Sequence, residues 1–139
     1  MLIGDNYLKL ECNYRGGVPD YDIDYFVVSV LADGFSGHCE VMIQWPHLAE
    51  LAERLKRYPI THDDPIEANW EDGPEGVQLV FSSAGPTGPV SVAVSITGGY
   101  TGDFAVKCQF IVDYPKIEQF RNDIVSLVRK QAGAVILKS

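Results

Sequence analysis

At 139 residues, 46% of them hydrophobic and 22% charged, the chain is long enough to bury one core without disulfides or metal, and too apolar to be disordered. Nineteen carboxylates against eleven Lys and Arg leave a net charge of −8, which disfavours nucleic acids and anionic membranes, because both need clustered basic residues. No apolar run approaches the ~20 residues of a membrane helix, and the opening Met1-Leu2-Ile3-Gly4-Asp5 carries no basic-then-apolar leader pattern, so the expectation is a single cytoplasmic domain, 1–139.

Residues 7–14 alternate apolar and polar and read as a strand. Arg15-Gly16-Gly17-Val18-Pro19-Asp20 reads as a loop. Asp20, Asp22 and Asp24, spaced two apart, would form one acidic face of an extended stretch. Residues 25–31 are β-branched and aromatic, a well-buried strand. The phrase Gly34-Phe35-Ser36-Gly37 suits a short hairpin connection in which one or two residues need positive φ. A two-faced strand over 38–45 follows. Pro46 then opens a helix to about Arg57, with Leu48, Leu51, Ala52 and Leu55 as its apolar stripe, and Pro59 stops it.

A short strand holds Ile66, Ala68 and Trp70 on one face, and further strands cover 77–81 and 90–96 around a Gly85-Pro86-Thr87-Gly88-Pro89 turn. Gly99-Tyr100-Thr101-Gly102 repeats the earlier phrase. It leads into a strand over 104–112 and a helix that Asp113 caps and Pro115 opens. Ile117, Phe120, Ile124, Leu127 and Val128 form the strongest amphipathic stripe. Gly133 ends this helix, and 134–137 reads as a last short strand. Hairpin-length turns favour an α+β fold: one mainly antiparallel sheet of six to eight strands, with two helices packed on one face. The doubled phrase fits either an internal ββα repeat or convergence on one hairpin-to-helix solution.

Catalytic and metal readings fare poorly. Gly34-Phe35-Ser36-Gly37-His38 is not a nucleophile elbow, since His38 stands where Gly is needed and a strand follows the turn. His38, His47 and His62 lack zinc-helix spacing, and Asp20, Asp22 and Asp24 lack the Gly and closing Glu of a calcium loop. No carboxylate pair is singled out for glycosidase-type work among Glu67, Glu71 and Asp72. The glycine-rich turns do not open a helix and have no Lys-Ser/Thr, so no phosphate cradle is supported. Cys12, Cys39 and Cys108 fall on the apolar sides of strands and read as buried thiols, not as a disulfide or metal set. No cofactor and no metal are expected.

What remains is a surface. Residues 60–75 carry Asp63, Asp64, Glu67, Glu71, Asp72 and Glu75 with no Lys or Arg among them. Asp63, Asp64, Glu67, Trp70, Glu71 and Asp72 are the candidate binding residues: an aromatic anchor inside a carboxylate rim suits a basic protein partner. The competing reading places Trp70 in the core above merely solvated carboxylates.

The hairpin at Gly34-Phe35-Ser36-Gly37, the Leu48/Leu51/Leu55 helix, the run Gly88-Pro89-Val90-Ser91-Val92-Ala93-Val94 and the helix around Phe120 and Leu127 together resemble the WapI-like immunity proteins of bacterial toxin systems and related small bacterial proteins. The resemblance covers most of the chain as a pattern of apolar positions and glycines. It implies a cytosolic, non-enzymatic protein that neutralises a toxin domain, and it assigns no residue a role. The expected function is therefore protein binding. A small-ligand-binding or enzymatic α+β domain and a self-associating module, such as a homodimer, are the alternatives.

Overall fold

The computed structural model describes residues 5–12, 23–57, 59–86, 88–98 and 104–139. Among the described residues, eight strands and two helices run in the order β1 (Tyr7–Cys12), β2 (Ile23–Ala32), β3 (Phe35–Gln44), α1 (Trp45–Arg54), β4 (Ile66–Asp72), β5 (Glu75–Ser83), β6 (Val90–Gly98), β7 (Phe104–Val112), α2 (Tyr114–Lys130) and β8 (Ala134–Lys138). The fold is α+β and antiparallel throughout. It holds two four-stranded sheets where one sheet was expected: β3-β2-β1-β8 and β4-β5-β6-β7. All neighbours in the second sheet are joined in sequence, but the first is completed from the far end of the chain, where Leu8 lies opposite Leu137 and Leu10 opposite Val135. That pairing spans more than 120 residues and leaves no local trace in the sequence.

Both helices contact strands of the first sheet, α1 at β3 and α2 at β8. The inward faces of both sheets and the apolar stripes of both helices form a single core. The strand β3 lies against all four strands of the second sheet, α1 packs on α2, and α2 runs along β8. Trp45 at the start of α1 meets Phe26 of β2 edge-on at 5.1 Å, and Phe120 of α2 meets Phe81 of β5 at 6.4 Å. The sequence of elements β1-β2-β3-α1-β4 is followed by β5-β6-β7-α2-β8, and each sheet contains three strands of one such set and the last strand of the other. This is a correspondence of element order, and a duplication is not shown by it. The second phrase, Gly99 to Gly102, lies outside the described residues, as do the 15–20 loop, Asn13 and Tyr14 of the first strand, Asp20, Asp22 and Thr87.

The first phrase is divided between two tasks. The β2–β3 turn is the pair Asp33-Gly34, with φ of 52° and 84°. Positive φ at both central residues is the mirror-image turn whose twist matches the flanking strands. Gly37 is not in the turn. It sits inside β3 opposite Val30, where a Cβ would come within 3.1 Å of the Val106 side chain on β7. The absent side chain lets the two sheets approach.

Helix ends also differ from expectation. Asp113 occupies the N-cap position of α2 but makes no side-chain capping bond, and its backbone carbonyl accepts from Lys116 N–H at 3.0 Å instead. At the other end the left-handed residue is Gln131, φ 54°, whose N–H donates to the Leu127 carbonyl at 2.7 Å, two residues before the predicted Gly133.

Two stability predictions follow from these positions. Gly37→Val should destabilise by about 1–3 kcal/mol through overpacking, and Val106→Ala should recover part of that loss in a double-mutant cycle read by urea unfolding. Gln131→Gly should raise stability by roughly 0.5–1 kcal/mol, because a non-glycine residue is strained in the left-handed region. Thermal melts of the variant would show it.

Candidate acidic surface

The segment from Thr61 to Glu75 leaves α1, crosses to the second sheet and forms its edge strand β4. Alternation along β4 decides which side chains are available. Ile66, Ala68 and Trp70 face inward, while Glu67, Asn69 and Glu71 face outward. Trp70 is only 5% exposed and lies opposite Val77 in the core, so the expected interface anchor is a core residue. Its neighbours on the carboxylate list are at the surface: Asp63, Asp64, Glu67 and Glu71 are all exposed. The Asp72 side chain lies outside the described residues, although its backbone pairs with Glu75 across the β4–β5 turn. Six candidates thus separate into four surface carboxylates, one core indole and one side chain without a described position.

The segment lacks Lys and Arg of its own, but the end of α1 and the turn after it, where the helix stops at Arg54 and not at Arg57, supply two. Arg57 Nη1 pairs with the Asp64 carboxylate at 2.8 Å, and its second terminal nitrogen donates to the Asp64 carbonyl. Arg54 donates to the Glu67 carbonyl at 2.7 Å. Both terminal nitrogens of Arg57 and one of Arg54 are thereby spent on the connection between α1 and β4. The ion pair is solvent-exposed, with side chains 41% and 72% accessible, so its worth is at most ~1 kcal/mol and its role is to fix the path of the chain. Neither arginine was singled out beforehand. The signal available was their place at and just beyond the end of an amphipathic helix, ahead of an acidic stretch.

Two shallow depressions flank this segment. One, of about 260 Å³, lies between α1 and β4 and is lined by His47, Glu50, Arg54, Glu67 and Asn69, with an edge of Trp70. The other, of about 380 Å³, lies over the β4–β5 end of the second sheet and is lined by Glu71, Glu75, Gln78, Thr97 and Lys107. No set of three or more His, Cys, Asp or Glu side chains converges on a point among the described residues. Fifteen of the nineteen carboxylates precede Gly76, with five of the eleven basic residues, so the chain divides into a part of net −10 and a part of net +2. The candidate carboxylates belong to the first part.

Cys39 is a buried thiol, and Cys12 and Cys108 are half-buried. The Cys39 thiol lies 4.0 Å from the Gly76 carbonyl, a weak donor between β3 and β5. Burial, and secondarily the nearby Glu75 carboxylate, pushes its pKa up from 9.0 to about 11. An acid whose folded pKa is raised binds its proton more tightly when folded. Its contribution to stability is complete below pH 9 and declines as pH rises from 9 to about 11. Denaturation midpoints across that range should therefore fall less steeply in Cys39→Ala than in the unsubstituted chain.

No protein-family model matches the chain, and a search of curated proteins finds no match to it.

Proposed function

We propose that the protein is a non-enzymatic, cytoplasmic binding protein whose surface carboxylates at Asp63, Asp64, Glu67 and Glu71 dock a basic protein partner. The observation that carries this reading is the concentration of charge: net −10 over the first 75 residues, with these four carboxylates exposed on one linker and one edge strand. Such a field accelerates encounter with a partner of opposite sign and penalises partners of like sign. With Trp70 in the core, recognition rests on charge and on the backbone path that Arg54 and Arg57 fix, with Glu50 and Glu75 extending the acidic surface on either side.

The resemblance to WapI-like immunity proteins supplies the setting, in which the basic partner is a bacterial toxin domain and binding blocks its active surface. No helix among the described residues is long and apolar enough to cross a membrane, which is compatible with this location.

The test is the affinity for the toxin domain encoded beside the gene, measured by calorimetry at two salt concentrations. The combined reversal Asp63→Lys, Glu67→Lys, Glu71→Lys should weaken binding at least about tenfold and flatten its salt dependence. Unchanged affinity in the folded triple variant would refute the acidic surface as the interface.

A further inference from the structure

The outward faces of the two sheets have different chemistry. On the second sheet the outward row of β6 is Ser91, Ala93, Ser95 and Thr97, flanked mostly by polar residues, Gln78, Ser82, Lys107 and Gln109, with Val80 and Ile111 as the apolar exceptions. Its polar groups satisfy one another in part, as where Gln109 donates to Ser91 at 2.7 Å. On the first sheet the outward positions of the central strand β2 are Ile23, Tyr25, Val27, Ser29 and Leu31. Beside them stand Met42 on β3, Tyr7 on β1 and Ile136 on β8, with Tyr25 48% and Ile136 41% exposed. β2 is thus apolar on both faces, a pattern of strands covered on both sides. Its inner residues Phe26, Val28 and Val30 lie in the core, yet its outer face meets solvent.

The charges on this face are ordered in rows. One row across the sheet reads Glu40, Val27, Glu11, Ala134, and the next reads His38, Ser29, Lys9, Ile136. The carboxylates lie in one row and the imidazole and ammonium in the other, on the same two strands. A uniformly basic partner would meet Lys9 and Lys138 here. A second copy turned over about an axis in the plane of the face, perpendicular to the strands and between these rows, sets the Glu11 carboxylate against an ammonium and apolar groups against apolar groups on the flanking rows, with Val27 over Ser29 at the centre. Glu11 then opposes Lys9 of the other copy, Glu40 opposes His38, Ala134 opposes Ile136, and Tyr25 opposes Leu31. Turning the copy about an axis along the strands instead sets Glu40 over Glu11, which opposes like charges. Within one chain Lys9 and Glu11 already lie 3.4 Å apart, so the first arrangement joins two such pairs into an alternating group of four.

The geometry points to an isologous homodimer in which the outer faces of the β3-β2-β1-β8 sheets pack on each other in antiparallel orientation, centred on Val27 and Ser29. This interface is separate from the acidic β4 surface, so either reading can fail without the other.

Sedimentation equilibrium of the purified chain tests it. At about 10–100 µM the mass should be twice the 15.4 kDa of one chain. Glu11→Lys and Val27→Arg should each weaken the dimer at least about tenfold, with circular dichroism confirming the fold. The exposed Glu11 site keeps the test valid if Val27→Arg does not fold. The double exchange Lys9→Glu/Glu11→Lys should restore the dimer, since opposite charges again face each other. A monomer at the highest concentration overturns the proposal. So does a dimer indifferent to Glu11→Lys, or a double exchange that fails to restore association.

Discussion

A ten-residue strand that hydrogen-bonds to β2 along one edge and also lies across all four strands of a second sheet must present almost no bulk where the sheets come closest. The strand β3 meets this demand at Gly37, against Val106. The same strand buries Cys39, Val41 and Ile43 a few residues on, with Cys39 Sγ still 4.0 Å from the Gly76 carbonyl of the second sheet. The stripes of α1 and α2 complete the same core, where Trp45 meets Phe26 of the first sheet and Phe120 meets Phe81 of the second. Packing at interior density leaves little tolerance at the pinch and more beyond it.

The charges follow a second logic. The linker from α1 into β4 is tied to the helix end by two arginines that bind main-chain oxygens, at Asp64 and Glu67. Neutralising the Asp64 carboxylate is the lesser effect. The larger one is that the remaining side chains project from a defined linker and edge strand. An interface built on charge gains specificity only when its charges have fixed positions, because side-chain ordering otherwise consumes much of the Coulomb gain.

Most secondary structure was legible, because period-two alternation in stretches such as Val106, Cys108, Phe110 and Val112, and period-3.6 stripes such as Ile117, Phe120, Ile124 and Leu127, are properties of single segments. The division into two sheets was not, since nothing in β1 or β8 alone announces that Leu8 will face Leu137. Trp70 illustrates the limit at the candidate site. Its alternation with Ile66 and Ala68 was visible, but whether that face met solvent or the core depended on the second sheet as a whole. The same holds for Arg54 and Arg57, whose partners lie across a turn that the sequence does not bend by itself. On β2, apolar residues on both faces were in plain view, yet burial of both faces was the simpler inference from composition.

The pairing of β8 with β1 has a consequence during synthesis. A ribosome releases β1, β2 and β3 long before Val135 and Leu137 exist, so the nascent chain carries β1 as an open edge while the second sheet is still being made. Until β8 arrives, the inward side chains Leu8 and Leu10 lie next to a vacant strand position, and any extended apolar segment nearby competes for it.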